Sequence, residues 1–236
     1  GRMCEPEEIE HILSSYFERE ESLLGKTILV NAGPTHEKLD PVRFIGNYSS
    51  GKMGKAIANE LSSRGAMVHL VLGPVSADGL DTKIHLTKIE SAQEMYKACS
   101  EIFTTCDAAI LSAAVADYRP ASQEDQKIKK KTEEFNLELV KTVDVLKSLG
   151  EIKKNHQFLA GFALETQNEQ ENALLKLEKK NLDFIILNSM NDKGAGFGKD
   201  TNKITILEKN GKKHTFETKP KKDVAIDIVN LLATYL

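Results

Sequence analysis

Residues 46–53 form the segment of this sequence whose residue types and spacing best fit phosphate binding. They read Gly-Asn-Tyr-Ser-Ser-Gly-Lys-Met, which follows the P-loop pattern G-x-x-x-x-G-K-[ST] until Met53 replaces the hydroxyl that contacts magnesium. The segment precedes a predicted helix, whose unpaired N–H groups and positive dipole end attract an anion. We therefore expect an anion site rather than a P-loop, with simple capping of the helix by a serine as the alternative. The residues expected to contact the anion are Ser49, Ser50, Gly51 and Lys52.

A dinucleotide-binding unit is the competing interpretation of the same region. Residues 51–70 resemble the βαβ unit of an NAD(P)-binding protein, and Tyr48 and Lys52 show a Y-x-x-x-K spacing. However, the first strand-to-helix turn, residues 31–35, lacks the G-x-G-x-x-G pattern, and no acidic residue follows the strand predicted at 67–72 to bind a ribose hydroxyl. An NAD(P)-dependent Rossmann oxidoreductase is therefore the second candidate function.

The elements that must position these residues alternate along most of the chain. The predicted strands are 27–32, 67–72, 84–89, 107–112, 135–140, 157–163 and 183–188, and the predicted helices are 51–64, 91–104, 143–154 and 168–180. This alternation predicts an α/β fold, a Rossmann-like, mostly parallel sheet with helices on both faces. A C-terminal β-hairpin with a type I′ turn at Asn210-Gly211 and a closing helix over 220–236 follow. Two long connections, 33–50 and 113–134, remain, and we expect functional residues there.

The composition is that of an ordinary globular chain. The 236 residues carry 32 Lys+Arg against 35 Asp+Glu, for a formal charge of −3, and 40% are hydrophobic. A chain of this length can bury a substantial core, and its charge balance argues against a nucleic-acid partner. No apolar run approaches the roughly 18 to 20 residues of a membrane-spanning helix, and the N-terminus lacks the apolar core of a signal peptide. We therefore expect a cytoplasmic protein without a membrane partner.

Three cysteines, Cys4, Cys99 and Cys106, make an odd number and form neither a C-x-x-C pair nor a zinc-ligand set. We expect reduced thiols. Cys99 and Cys106 lie where a helical segment meets a strand, so we expect them to be buried and unreactive.

Six blocks of the sequence carry its most specific motifs. The blocks are residues 31–37 (NAGPTHE), 40–54 (DPVRFIGNYSSGKMG), 113–118 (AAVADY), 127–130 (KIKK), 161–166 (GFALET) and 179–183 (KKNLD). In this order they resemble the bacterial phosphopantothenoylcysteine synthetase family over about residues 26–236. The resemblance implies that residues 25–236 are the synthetase domain. Residues 1–24 would be the linker or tail of a preceding decarboxylase domain, as in bifunctional coenzyme A biosynthesis proteins.

The activity that the resemblance implies is that of an acid–amino-acid ligase. In this family type, 4′-phosphopantothenate and CTP give an acyl-cytidylate and pyrophosphate, and L-cysteine then attacks the mixed anhydride and releases CMP. Because a free carboxylate is a poor acyl donor, the protein must position the reactants and neutralise charge. The family also implies Mg²⁺ and a homodimer. A non-catalytic nucleotide-binding or partner-binding module is the third candidate function.

The resemblance assigns three residues to catalysis. Asn47 stands where the family holds the acyl intermediate with an asparagine, although local sequence alone would equally favour an Asn that stabilises its own turn. Arg43 belongs to the same intermediate site, since its planar fork suits a phosphate or carboxylate. Lys127 opens a lysine run, residues 127–131, that would neutralise the triphosphate from a flap loop closing over the site.

The resemblance also implies the binding residues. For the nucleotide they are Ser112, Ala113, Asp117, Lys127, Val143, Asp144, Val145, Leu146, Phe162, Lys176 and Lys180; for the substrate and its phosphate they are Gly33, Ser49, Ser50, Gly51, Lys52 and Ala114. Asp117 is also the candidate magnesium ligand. Lys176 and Lys180 are four positions apart, so on a helix they share a face and could reach one polyphosphate. Residues 142–145 read Thr-Val-Asp-Val where the family often has Asn-Pro-Asp-Ile, so Asp144 is kept and the proline is lost.

Overall fold

The computed structural model describes residues 21–129, 134–165, 167–189 and 199–236, together with residues 6 and 10. In chain order the strands are β1 (Thr27–Ala32), β2 (His36–Lys38), β3 (Phe44–Gly46), β4 (Met67–Leu72), β5 (His85–Lys88), β6 (Ala108–Leu111), β7 (Tyr118–Pro120), β8 (Leu139–Lys141), β9 (Phe158–Glu165), β10 (Phe184–Ser189), β11 (Thr201–Asn202), β12 (Ile204–Glu208), β13 (Lys213–Thr215) and β14 (Lys219–Pro220). The helices are α1 (Lys52–Ser63), α2 (Ala92–Phe103), α3 (Val145–Ile152), α4 (Glu169–Lys179) and α5 (Lys221–Ala233). None of these helices in the described ranges combines the length and the apolar character that crossing a bilayer requires.

An eight-stranded sheet in the order β13-β12-β10-β9-β6-β1-β4-β5 forms the centre of the molecule. The strands from β10 to β5 in this order pair in parallel, whereas β12 and β13 add antiparallel at one edge. The chain builds the sheet outward from β1 in one direction and then from β6 in the other, so a topological switch point lies between them. Open α/β sheets bind ligands beyond the carboxyl ends of the strands at such a point. The predicted α/β fold with its C-terminal hairpin is confirmed.

Two apolar layers cover the sheet because successive residues of a strand point to opposite faces. Ile28 and Val30 of β1 pack with α1 and α5, whose Ile57 and Ile228 are fully buried. Leu29 of the same strand packs with the layer formed by α2, α3 and α4. Burial on both faces explains why the central strands read as nearly continuous apolar runs in the sequence.

The two long connections contain short strand pairs. In the connection 33–50, β2 pairs antiparallel with β3, and in the second connection β7 pairs antiparallel with β8. The strand predicted at 135–140 is therefore wrong in extent and position, because β8 covers Leu139–Lys141 and lies outside the main sheet. The physical reason is that β6 and β9 pair directly, which leaves no place between them. Of the predicted flap loop, residues 130–133, including Lys130 and Lys131, lie outside the described residues.

The C-terminal hairpin has a different turn from the predicted type I′. Asn168 and Asn181 are the non-glycine residues with positive φ in the described ranges, so Asn210 does not adopt the conformation that type I′ needs. Gly211 has φ 87° and donates its N–H to the carbonyl of Glu208 at 3.0 Å. A three-residue loop with glycine in the left-handed region is the next most common hairpin connection.

Cys99 and Cys106 are buried free thiols, as predicted. Burial raises the pKa of each to about 12. Because the thiolate is the reactive form, neither is a nucleophile at neutral pH. Cys4 and nearly all of the predicted linker 1–24 lie outside the described residues.

Candidate functional site

A cavity of about 530 Å³ opens at the carboxyl ends of β1 and β6, beside the switch point of the sheet. Its walls come from the loop after β6, the segment that leads into α3, and the middle of β9. The predicted nucleotide-binding residues that line it are Ala113, Asp117, Val143, Asp144, Val145, Leu146, Phe162 and Lys180. The structure thus brings together residues that the sequence separates by more than one helix.

Asn31, at the end of β1, fixes the loop that forms the floor of this cavity. Its side-chain Oδ1 accepts the N–H of Ala113 at 2.9 Å, and its carbonyl oxygen accepts the hydroxyl of Ser112 at 2.7 Å. Asn31 is almost fully buried, so these bonds form away from water and hold residues 112–113 rigidly. The sequence analysis gave Asn31 no role. Its only signal was a polar side chain at the end of an apolar strand.

Asp144 caps α3 and pairs with Lys180 at the other wall. Its Oδ1 accepts the N–H of Lys147 at 3.0 Å, and Lys180 Nζ lies 2.8 Å from Oδ2. Burial raises the pKa of Asp144, but the hydrogen bonds from Lys180 and Lys147 outweigh it and hold the pKa below its usual value. The cap therefore persists without the proline that the family often carries at this turn.

Lys176 and Lys180 face different partners. Lys176 Nζ pairs with Glu165 Oε1 at 2.6 Å and is not among the described residues that line the cavity. Lys180 lines it. The structure therefore places Lys180, and not Lys176, at the predicted nucleotide site.

A second cavity of about 150 Å³ adjoins the first at the N-terminus of α1. Among its lining residues are the predicted binding residues Ser49, Ser50, Gly51, Lys52, Ser112 and Ala114. Gly51 is the N-cap residue of α1 with φ 70°, and its N–H donates to the hydroxyl of Ser49 at 3.4 Å. The first turn of α1 lines this cavity through Lys52, Met53 and Gly54, and the N–H groups at a helix start attract an anion. A Cβ on Gly54 would lie 2.4 Å from that of Ala32, so only glycine lets α1 start this close to β1. Gly33 packs beside Gly51 but does not line the cavity.

Two lysines from different helices reach this second cavity. Lys52 opens α1 and pairs with Asp200 Oδ1 at 2.5 Å, and Lys221 opens α5. Burial and the nearby charge of Lys52 lower the pKa of Lys221, and Asp200 opposes this shift. The sequence analysis missed Lys221, because no local pattern brings the start of α5 beside the start of α1.

The two cavities share the wall formed by Ala113, Ala114 and Phe162. Asn47 lies at this wall, where its Nδ2 donates to the carbonyls of Ala114 at 3.1 Å and Val115 at 3.2 Å. The exposed amide of Asn47 therefore lies next to the junction of the two cavities.

The three predicted catalytic residues, Asn47, Arg43 and Lys127, all lie outside the lining of both cavities. Arg43 Nε donates to Asp40 at 3.0 Å, and its Nη2 donates to the carbonyl of Ile128 at 3.0 Å. Lys127 precedes Ile128 and is exposed. The structure thus joins Arg43 and the start of the lysine run to each other, beside rather than inside the cavities.

Asp117 is exposed and faces the first cavity. The described residues contain no group of three His, Cys, Asp or Glu side chains that could hold a metal ion. One carboxylate still fits Mg²⁺, since this ion is often bound by one or two carboxylates together with substrate phosphates and water.

A larger groove of about 630 Å³ lies on the outer side of α1 and α5. Two of the polar side chains that line it are already hydrogen-bonded within the protein. Lys55 Nζ donates to the carbonyl of Ser76, and Asn59 Nδ2 donates to the carbonyl of Gly79. Apart from Lys52, none of the residues predicted for chemistry lines it. We therefore place the site in the two cavities at the strand ends, despite their smaller volumes.

Comparison with known proteins identifies relatives over nearly the whole chain. A family model described as the DNA/pantothenate metabolism flavoprotein C-terminal domain matches residues 23–236. A protein named cysteine/cysteine sulfinic acid decarboxylase, from an unknown prokaryotic organism, is 49% identical over 99% of this chain and 66% of its own length. The coenzyme A biosynthesis bifunctional protein CoaBC of Bacillus subtilis (strain 168) is 44% identical over 99% of this chain and 58% of its own length. The chain therefore spans less than two thirds of either relative.

A solved structure agrees with these sequence matches. The crystal structure of the C-terminal domain of a coenzyme A biosynthesis bifunctional protein CoaBC superimposes with a TM-score of 0.78 at 40% identity. The superposition covers 91% of this chain and 97% of that domain.

Proposed function

The chain belongs to the DNA/pantothenate metabolism flavoprotein C-terminal domain family, and on this premise we propose that it is a phosphopantothenate–cysteine ligase of coenzyme A biosynthesis. Family membership confirms the resemblance predicted from the six sequence blocks. The observation that carries the proposed activity is the pair of cavities that meet at Ala113, Ala114 and Phe162 beneath the amide of Asn47. Two substrates bound on either side of this wall would present their reacting groups to each other.

The first half-reaction would join the two cavities. CTP would occupy the larger of the two cavities at the strand ends. The substrate 4′-phosphopantothenate would place its phosphate in the smaller of these two cavities and its carboxylate at the shared wall. A carboxylate oxygen attacks the α-phosphorus, the bond to the β-phosphate oxygen breaks, and pyrophosphate leaves. The N-terminus of α1, together with Lys52 and Lys221, supports the assignment of the phosphate to the smaller cavity.

The second half-reaction would take place at the same wall. The amine of L-cysteine attacks the acyl carbon, the bond to the cytidylate oxygen breaks, and CMP leaves as the amide forms and the amine loses a proton. Asn47 would hold the acyl-cytidylate, because its amide can donate to the developing oxyanion. Arg43 would bind the same intermediate, and Lys127 would neutralise the triphosphate in the first step.

Magnesium is the cofactor that we propose alongside CTP. When bound it would offset the negative charge of the triphosphate. Asp117 is the carboxylate of the larger cavity that faces a nucleotide bound there.

Two partners are part of the proposal. One is a decarboxylase domain elsewhere in the full protein, with residues 1–24 as the connection, as the bifunctional names of the relatives suggest. The other is a second copy of this chain. Four exposed apolar side chains lie on or next to the two short ladders: Phe44 on β3, Val42 in the turn before it, Tyr118 on β7 and Leu139 on β8. Strand β2 contacts β7. We define these four residues as the ladder patch and propose it as the homodimer surface, since scattered apolar residues need no partner but contiguous ones usually have one.

Pyrophosphate release tests the proposed activity. The chain is mixed with 4′-phosphopantothenate, L-cysteine, Mg²⁺ and, in parallel, CTP, ATP, GTP or UTP. We expect release and amide formation with CTP. Release that is absent with all four nucleotides would contradict the proposal. Stabilisation by NADPH instead of CTP would favour the oxidoreductase, and stabilisation by CTP without turnover would favour a binding module.

Lys127→Gln gives the assay an internal check. We expect this variant to lose acyl-nucleotide formation, whereas Lys129→Gln, in the same exposed run, should retain it. Wild-type kinetics for Lys127→Gln would return the lysine run to the role of a solvated surface.

A further inference from the structure

A buried carboxylate, that of Asp40, organises the turn between β2 and β3. Asp40 is 1% exposed. Its Oδ1 accepts the N–H groups of Val42 at 2.8 Å and Arg43 at 2.9 Å, and its Oδ2 accepts Arg43 Nε at 3.0 Å and the N–H of Ile128 at 3.1 Å. A second bond from the Arg43 guanidinium, through Nη2, completes the pair. The hydrogen bond from Arg43 holds the pKa of Asp40 well below its usual range, so the carboxylate is charged throughout the working pH range.

The same turn holds the start of the lysine run through main-chain bonds. While Asp40 accepts the N–H of Ile128, Arg43 Nη2 donates to the carbonyl of the same residue at 3.0 Å. A third bond joins the N–H of Glu124 to the carbonyl of Leu39 at 3.0 Å. Both peptide groups of Ile128 are therefore fixed by one ion pair, and the exposed side chain of Lys127 starts from a fixed backbone.

We propose that Asp40 is a positioning residue for the first half-reaction, acting through Lys127 and Arg43. The inference rests on the proposed function. A lysine is a point charge on a flexible stem, so where its ammonium group can reach depends on where its backbone is held. Asp40 supplies that constraint, and it also aims the Arg43 guanidinium at the loop. Prior ordering of this kind lowers the entropy that the substrate complex would otherwise lose.

Asp40→Asn is the central variant. The substitution keeps the size of the side chain, and its amide oxygen can still accept the N–H groups of Val42 and Arg43. Its NH₂ group, however, would face the donors of Arg43 and Ile128, so the bonds to the loop are lost. Asp125→Asn is the matched control, because it removes the same charge from an exposed acid of the same loop.

Two measurements separate positioning from a general structural effect. Trypsin cleavage after Lys127 and Lys129 should become about tenfold or more faster in Asp40→Asn at an unchanged melting temperature, because only the loop is released. The rate of pyrophosphate release should fall by about 10- to 100-fold, with a smaller change in the KM for CTP.

The outcomes are distinct. Wild-type release by Asp40→Asn, or unchanged cleavage at the lysines, would each overturn the positioning role. If Asp40→Asn does not fold, two variants of Ile128 take its place. Ile128→Pro removes the N–H that Asp40 accepts, and Ile128→Ala keeps it. Pyrophosphate release at the wild-type rate by both variants would also overturn the role. Failure of the proposed function would give a different result, namely no pyrophosphate release by the wild-type chain.

Discussion

The cationic side chains of the site are compensated by carboxylates before any ligand is present. Lys52 pairs with Asp200, and Lys180 pairs with Asp144. Both carboxylates are substantially exposed, and exposed ion pairs contribute little to stability. Under the proposed function, a phosphate group would displace these carboxylates from their lysines at low cost.

Lys221 tests the assignment of the smaller cavity. We expect Lys221→Gln to raise the KM for 4′-phosphopantothenate about tenfold, the usual effect of losing one charge-assisted hydrogen bond, and to leave the KM for CTP nearly unchanged. Steady-state pyrophosphate kinetics would measure both constants. Lys222→Gln is the matched control, because Lys222 is exposed and lines the outer groove instead. An equal rise in the two KM values, or equal behaviour of the two variants, would contradict the assignment.

Asn47 tests the shared wall. In Asn47→Asp, a carboxylate replaces the amide that donates to the carbonyls of Ala114 and Val115, so repulsion should move the side chain and its contacts with the intermediate should be lost. We expect pyrophosphate release to remain detectable while amide formation falls by about 100-fold or more. Quantifying the two products in the same reaction would show the split, with Asn155→Asp at an exposed position as control. Full amide formation would remove Asn47 from its role.

The helices and strands were predictable wherever burial repeats along the chain. Both faces of β1 and β6 are covered, so their sequences are continuous apolar runs, and the amphipathic pattern of α2 places Met95, Cys99 and Phe103 on one buried face. The strand predicted at 135–140 failed because β-forming residue types do not reveal whether a sheet has room for them. Phe135 is more than half exposed there.

The site was predictable in part for the same physical reasons. Asn47 and Lys180 were assigned from sequence motifs through the family resemblance. The structure brings Asn47 to the carbonyl of Ala114 and Lys180 to the lining of the larger cavity, and their roles stay predictions. Lys221, Asn31 and Asp40 act through contacts between segments far apart in the chain, and no local pattern encodes such contacts. The pairing of lysines with carboxylates was not predicted either, because it depends on the tertiary placement of the elements. Lys180 at the end of α4 meets Asp144 at the start of α3, and Lys52 of α1 meets Asp200.

The edge pair of strands β4 and β5 carries a pH-dependent contact. His69 and His85 are register partners, with stacked rings whose centroids are 5.0 Å apart. Burial, and then the charge of His85, lower the pKa of His69 from the ordinary 6.5. In the window just below pH 6.5 the unfolded chain therefore binds more protons at this position than the folded chain.

The free energy of unfolding should therefore fall as the pH drops through 6.5 toward the lower pKa of the folded state. The stabilisation that depends on neutral His69 should be fully present above pH 6.5. Urea titrations between pH 5 and 8 would measure it. We expect His69→Gln to flatten the profile in this window, with His156→Gln, at an exposed turn, as control. A profile that keeps its slope in His69→Gln would show that other groups cause it.

On the scale of the whole molecule, the ladder patch and the contacts that hold the loop bearing Lys127 meet in the turn between β2 and β3. The β2–β3 hairpin contributes Val42 and Phe44 to the ladder patch. Asp40 and Arg43, in the turn between these strands, make the contacts that hold the loop. A partner chain seated on the patch would therefore contact the element that holds the loop. Assembly and catalysis would share one structural unit.

A charge in the patch tests the assembly. We expect the wild-type chain to sediment as two copies and Val42→Glu as one, because an unpaired carboxylate in an apolar interface is costly. Met67→Glu is the control, since Met67 is similarly exposed but begins β4 at the opposite end of the sheet. A wild-type mass of one chain, or an unchanged mass for Val42→Glu, would contradict the proposed surface.

The wall common to the two cavities also defines a route for inhibition. A compound with a nucleoside-like group at one end and a phosphate at the other could enter both cavities and cross at Ala113 and Phe162. Once either end is bound, the second binds intramolecularly at a high effective concentration, so affinity would rise by orders of magnitude if the connecting chain spans the wall. Because Gly54 leaves no space for a side chain beside Ala32 and Ser112, substitution at this position could not narrow the smaller cavity without displacing α1. Under the proposed function, resistance by that path would also impair the binding of 4′-phosphopantothenate.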